Sequence, residues 1–212
     1  MEPLPLCQAL PIGLHEVHPQ AGEKAPADII DFRLGAVDKG HFPIDRWRLL
    51  SNRVLKDSSI YTYGDHQGDY LLRESIAKYL FRSRGVKTTA EQIIVGSSTQ
   101  QLMYLLGSIL GHSFNSIGFE EPGYAGAKVV FRALSYTIEP IPVDHNGLHL
   151  PSLGQIKSKL LYVTPSHQFP LGMIMPVHHR LALLNWAEEI DGYIIEDDYE
   201  ASDLFDFSFE KI

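Results

Sequence analysis

Apolar residues follow two patterns along this chain. In some segments they recur about every three to four positions, which predicts amphipathic helices; in others they run unbroken for a few residues, which predicts buried strands. Trp47, Leu50 and Val54 share one face of a helix in "DRWRLLSNRVL". Leu72, Ile76 and Leu80 share a face of a second helix that starts at Leu71, and Gly85 stands where a terminating glycine belongs. Thr89 and Gln92 have capping-box spacing and lead into "IIVG", read as a short buried strand. A helix over Thr99–Gly111 sets Leu102, Leu105, Leu106 and Ile109 on one side. "SIGFEE" then reads as a strand, "YAGAKVVFRAL" as a helix, and "TIEPIPVD" as a strand closed by the Asn146-Gly147 turn. "KLLYVTP" is a strongly apolar strand, "HHRLALLNWAEEI" a helix with Leu181, Leu184 and Ile190 inward, and "YIIED" the last clear strand.

Strands and helices alternate from residue 92 onward, and several strands are continuous apolar runs. The expected fold is therefore α/β, a mostly parallel sheet sandwiched by helices. The proline-containing residues 1–28 read as an arm or linker, and "IIDFRLGAVDKGHFP" as an extended segment after it. With 212 residues, 44% of them hydrophobic, the chain is long enough for one sizeable domain or two small ones. A net charge of −8 with scattered Lys and Arg argues against direct contact with nucleic acid. Cys7 is the one cysteine, so no disulfide framework exists within the chain and a reducing compartment fits. The N-terminus lacks a basic segment and no apolar run reaches eighteen residues, so neither a signal peptide nor a membrane span is expected; the cytoplasm is the expected location.

Ligands of open parallel sheets bind beyond the carboxyl ends of the strands. After "IIVG" come Ser98, Thr99 and Gln100, opening a helix whose free N–H groups suit a phosphate or, equally, need only ordinary capping. After "SIGFEE", Pro122-Gly123 presents Tyr124, either to stack on a planar ligand or to pack in the core. After "KLLYVTP", a Pro- and Gly-fixed loop holds His167, Gln168 and Phe169, either to serve a site or to plug the core. After "YIIE" stand Asp197, Asp198 and Tyr199; a carboxylate there needs a cation, a metal or a helix start. The adjacent His178 and His179 point about 100° apart on a helix and do not clamp one metal together. A phosphate cradle, a stacking ring, a polar loop and an Asp–Tyr pair, taken together, suit a flat aromatic cation bearing a phosphate.

That order resembles the fold type I pyridoxal-phosphate (PLP) enzymes of aminotransferase class I/II, and within them the aminotransferase-like domain of MocR/GabR-type regulators of the GntR superfamily. The resemblance is carried by "IDFRLGAVDKGHFP", "YGDHQGDYLLRESIAKYL", "IIVGSSTQQ", "EEPGYAGA", "VTPSHQFPLGMIMP", "HRLALL" and "IIEDDYE", and it covers roughly residues 29–200, leaving 201–212 as a divergent tail. It implies the large domain of that fold, in partial form. It implies that Asp197 pairs with the pyridine nitrogen, Tyr199 with the ring's phenolate oxygen, and Tyr124 with the ring face. Ser98, Thr99 and Gln100 would hold the phosphate, and Tyr63 would reach the phosphate of a neighbouring subunit, so a homodimer is implied. Asp198 has no role in the pattern and is expected to be solvated. The implied ligand is an amine or amino acid that is sensed. Phe169 stands where general aminotransferases place a ring-binding asparagine, and the family's covalent lysine lies downstream of the Asp–Tyr pair, where this chain has only Lys211. The expectation is a truncated core that binds PLP weakly and without a covalent bond, with a transaminase fragment or a non-catalytic remnant as the other readings.

Overall fold

The structure is a computed structural model that describes residues 39–199. The arm over 1–28, the start of the expected extended segment, Cys7, and the tail over 201–212 with Lys211 lie outside the described residues. The chain divides into two compact units, one ending at Thr62 and one beginning at Tyr63.

In the first unit, helix α1 (Ile44–Val54) lies between 3-10 turns at Lys39–His41 and Ser58–Tyr61. The residues before α1, expected to be extended, thus include a helical turn. The Asp57 carboxylate accepts the Ser59 N–H at 2.9 Å and starts the second turn. Trp47, Leu50 and Val54 do share a face of α1, and all three are exposed.

The second unit is built on a five-stranded sheet. Its strands are β1 (Ser116–Glu121), β2 (Thr137–Asp144), β3 (Gly147–Leu148), β4 (Leu160–Val163) and β5 (Tyr193–Glu196), in the order β3-β2-β1-β4-β5. β2, β1, β4 and β5 are parallel, and only the short β3 runs antiparallel, as a hairpin on β2. Pro140 and Pro142 are tolerated inside β2 because of where their missing N–H groups point. The Pro142 carbonyl accepts the His149 N–H at 2.8 Å on the β3 side, so the ladder to β1 loses nothing.

Four helices accompany the sheet: α2 (Tyr70–Arg84), α3 (Thr99–Leu110), α4 (Ala125–Ala133) and α5 (Val177–Ile190). Alternate strand residues serve opposite faces. Phe119, Leu160 and Tyr162 pack with Met103 of α3 and Phe131 of α4. Ile141, Leu161 and Val163 pack on the other face with Leu183 of α5. Each such fully buried side chain contributes about 1.5–3 kcal/mol. The sheet with helices on both faces is the expected architecture. Among the described residues no helix is long and apolar enough to cross a membrane.

The helices are where expected, but two are rotated about their axes. In α3 the buried residues are Met103 and Gly107, while Leu105, Leu106 and Ile109 are exposed. In α5 Leu183 is buried, while Leu181 and Leu184 are exposed. Leucine is abundant all round both helices, so periodicity finds the helix without fixing which stripe meets the sheet. "IIVG" forms no strand; it is extended, and the Val95 N–H reaches only the Gln67 carbonyl, at 2.8 Å. A strand exists through a partner, and none pairs with it among the described residues. The Thr89–Gln92 capping box is present and opens a 3-10 turn over Ala90–Gln92. Helix α2 ends as the pattern requires: Gly85 has φ 66°, and its N–H and that of Val86 close on Phe81 and Leu80.

Candidate functional site

The elements that carry the four expected site segments share one apolar cluster, the one that joins α3, α4 and the sheet. Met103 of α3, Tyr124 at the start of α4, Tyr162 of β4 and Ile195 of β5 all pack in it. Ser98 and Thr99 lie just ahead of Met103 in sequence, and Asp197 lies two residues past Ile195 on the same side of β5.

At the start of α3 the Ser98 hydroxyl oxygen accepts the Gln101 N–H at 3.2 Å, so Ser98 is the N-cap. Capping uses only the acceptor side of that hydroxyl; its proton stays available to a ligand. The N–H groups of Thr99 and Gln100 have no carbonyl behind them in the helix, and Ser97 through Gln100 are exposed. The Gln101 side chain folds back to accept the Ser97 N–H at 2.6 Å and its hydroxyl at 2.9 Å, which stiffens the approach to the helix.

After β1 the chain turns through a cis Glu121–Pro122 bond into Tyr124, the residue before α4. The Tyr124 ring lies across Gly126, where an added Cβ would fall 2.4 Å from the ring, so only glycine admits this placement. Glu120 is 1% exposed. One of its oxygens accepts the Thr164 N–H at 3.2 Å and the Thr164 hydroxyl at 2.7 Å, while the other oxygen has no partner. Burial pushes this carboxyl above its ordinary value, against the opposing pull of those hydrogen bonds, Gln168 and Lys128. Lys128 is itself buried and bonds Glu121 at 2.5 Å.

The loop after β4 is held from within. The Gln168 amide donates to the Pro122 carbonyl at 2.9 Å, accepts the Leu171 N–H at 3.2 Å, and is buried. It therefore serves the loop and not a ligand. The Phe169 N–H donates to the Thr164 hydroxyl at 3.1 Å. This sets the Phe169 ring edge-on to Tyr124 at 5.8 Å and to Tyr199 at 6.1 Å, an aromatic row across the ends of the strands.

At the end of β5 the two neighbouring aspartates diverge. The Asp197 carboxylate accepts a short hydrogen bond from the Tyr162 hydroxyl, and the Asp197 N–H extends the ladder to Val163 at 2.9 Å. Asp198 is not solvated, as its lack of a family role suggested; it pairs with Arg84 at the end of α2, and one of its oxygens is buried without a partner. Burial, then the bond to and the charge of Asp197, pushes the Tyr162 hydroxyl far above the usual phenol range, so it remains a donor.

The structure thus brings Tyr124, Tyr199 and Asp197 to one end of the sheet and places Ser98, Thr99 and Gln100 at an open helix start. Tyr63 is fully exposed. Sequence reasoning passed over Tyr162, which reads as one more core residue in an apolar run. A buried tyrosine requires a hydroxyl partner, but nothing in the sequence says which strand neighbours β4 and so which acid supplies it. Arg73 also gave no signal. It is 2% exposed and spans the Asp65 carboxylate at 2.7 Å and the Ala90 carbonyl at 2.7 Å, pinning "YGDHQG" beside the segment ahead of α3.

Comparison with known proteins bears on the family and the fold. The family described as aminotransferase class I and II matches residues 27–199. The uncharacterized HTH-type transcriptional regulator YdeL of Bacillus subtilis is 41% identical over 173 residues, 81% of this chain and 37% of that protein. The probable rhizopine catabolism regulatory protein MocR of Rhizobium meliloti is 35% identical, over 88% of this chain and 38% of that protein. The crystal structure of LysN, the α-aminoadipate aminotransferase of Thermus thermophilus in complex with N-(5'-phosphopyridoxyl)-L-leucine, superposes with a TM-score of 0.66 at 26% identity, over 74% of this chain and 40% of that one. This chain spans about two fifths of the length of each.

Proposed function

This chain belongs to the aminotransferase class I and II family, and from that premise we propose that it is the pyridoxal-phosphate-binding core of a MocR/GabR-type transcriptional regulator, sensing an amine or amino acid. The residues fit such a cofactor by the chemistry of their donors and acceptors. Asp197 offers a carboxylate held by a neutral donor, Tyr124 a ring fixed against Gly126, and the start of α3 two free N–H groups and hydroxyls. In this reading Ser98, Thr99 and Gln100 hold the phosphate, Tyr124 covers the ring face, Tyr199 bonds the ring oxygen, and Asp197 keeps the ring nitrogen protonated. The cofactor, when bound, supplies an aldehyde that captures amines and a ring that withdraws electrons.

The observation that carries the reading is the pairing of Asp197 with Tyr162 beside the Tyr124 face. Sensing is favoured over amine transfer by Phe169, whose ring is wedged against Tyr124 and Tyr199 and has no donor for a ring oxygen. In this reading the part of the chain that bears on the cofactor runs over residues 29–200, after 1–28 and before 201–212. Two subunits pair, each lending its exposed Tyr63 to the other's phosphate. A net charge of −8 leaves DNA contact to other parts of such a regulator.

The test is equilibrium dialysis of the chain against PLP with detection by absorbance. The unsubstituted chain is expected to bind PLP, and Asp197→Ala to lower the affinity at least about tenfold, the effect of removing a charged hydrogen-bond partner. Equal affinity in the two proteins overturns the assignment.

A further inference from the structure

We propose that Tyr162 is a positioning residue for Asp197: its buried hydroxyl occupies one oxygen of that carboxylate and turns the other toward the cofactor's ring nitrogen. The inference rests on the reading above and adds a residue that the sequence pattern does not point to.

The Tyr162 ring is held along its whole length. It is 1% exposed and stacks on Phe119, with centroids 4.7 Å apart and planes 29° from parallel. Its backbone pairs with Phe119 on one side and Ile195 on the other. A tyrosine so packed has one position for its hydroxyl, and that position lies at Asp197. The backbone of Asp197 is anchored as well, through its N–H to Val163. A short side chain with a fixed backbone and one tethered oxygen has little freedom left. A carboxylate has about four acceptor sites and Tyr162 takes one, so capacity for a second donor remains.

Charge points the same way. Among the described residues no Lys or Arg pairs with Asp197; the cation in reach of this strand end, Arg84, is engaged by Asp198. Tyr162 gives Asp197 a neutral donor, which orients the carboxylate without cancelling its charge. The neighbours that bear on the Tyr162 hydroxyl are Asp197, Tyr124 and Glu120, none of them cationic. A protonated ring nitrogen is the type of group such a carboxylate lacks.

Two ligands separate orientation from packing: PLP, and its analogue with carbon in place of the ring nitrogen. The full chain, Tyr162→Phe and Asp197→Ala are compared by equilibrium dialysis against both. The unsubstituted chain is expected to prefer PLP, and Asp197→Ala to lose the preference. Tyr162→Phe is expected to lower the preference roughly fivefold, the worth of about one hydrogen bond, with affinity for the carbon analogue unchanged. A preference unchanged by Tyr162→Phe, or equal loss of both ligands, overturns the inference and leaves the cofactor reading standing. A chain that binds neither ligand overturns both. If Tyr162→Phe does not fold, proton NMR of the tyrosine-labelled chain decides. A slowly exchanging hydroxyl resonance is expected to be absent in Asp197→Ala and to move with PLP but not with the carbon analogue. A resonance indifferent to Asp197, or shifted alike by both ligands, overturns it.

Discussion

Asp197 and Asp198 are adjacent, yet one meets a phenol and the other a guanidinium. Asp197 still joins the ladder through its N–H to Val163, while Asp198 stands one residue further beyond the end of β5. The consequence for Asp198 is energetic. Its partner is half-buried and one of its own oxygens is buried without a bond, so Arg84→Met is expected to cost about 2 kcal/mol in urea unfolding, above the range of exposed ion pairs. Glu120 gives a prediction of opposite sign. Its carboxyl is pushed above 4.5 by burial, so the folded chain holds the proton more tightly than the unfolded one. That contribution to stability is complete below about 4.5 and fades as pH rises through the folded value. Glu120→Gln keeps an acceptor for Thr164 and adds a donor where one oxygen now has no partner. The variant is expected to gain stability relative to the unsubstituted chain as pH climbs from about 4.5 toward neutrality. A difference that stays constant with pH in a series of thermal melts would show that Glu120 is ionised at no cost.

At the scale of elements, periodicity located every described α-helix of the second unit, and capping residues located the end of α2 at Gly85 and the start of α3 at Ser98. What it missed was phase. Helix α5 presents Leu181, Leu183 and Leu184 within four positions, and the one that meets the sheet is Leu183, 3% exposed against 60% for Leu184. The choice is made by Ile141 of β2 and by Leu161 and Val163 of β4, which pack with Leu183 and lie outside the helix whose period was read. Leu183→Ala is therefore expected to cost about 2–4 kcal/mol, and Leu184→Ala less than about 0.5 kcal/mol, in parallel chemical denaturations. Equal costs would restore the face that periodicity chose. The "IIVG" segment fails for a related reason, because its composition states that it is extended and apolar while pairing depends on a neighbour. The candidate site was legible where it follows from chain order, as Ser98, Tyr124 and Asp197 after successive apolar segments do. It was illegible where it depends on a contact across strands, as Tyr162 with Asp197 and Glu120 with Thr164 do. Ser98 shows how the two kinds of reading combine: as N-cap it is worth about 1 kcal/mol, so Ser98→Ala is expected to destabilise α3 by that amount. Ser98→Gly, which costs the helix only a few tenths of a kcal/mol, separates capping from phosphate binding in the same PLP dialysis.

For the molecule as a whole, the proposed connection between subunits rests on one exposed side chain, Tyr63. Tyr63 opens "YGDHQG", and the residues after it are fastened by Arg73, which bonds the Gly68 carbonyl at 3.0 Å and the Asp65 carboxylate at 2.7 Å. A fully exposed ring on a stretch held this firmly is presented rather than loose, which suits contact with another copy of the chain. If Tyr63 completes the phosphate site of a neighbour, cofactor binding and association are linked: each must strengthen the other by the same free energy. PLP affinity of the unsubstituted chain should then rise with protein concentration over roughly a hundredfold range, and sedimentation should show more dimer when PLP is present. Tyr63→Phe keeps the ring and removes the hydroxyl, so it should lower PLP affinity at high protein concentration and leave the low-concentration value where it was. Arg73→Met should act through the same route, by releasing the stretch that carries Tyr63, at an added cost of about 2 kcal/mol in stability for the buried bonds it breaks. Affinity independent of protein concentration in all three proteins would mean that each subunit holds its cofactor alone, and that Tyr63 has no part in the site.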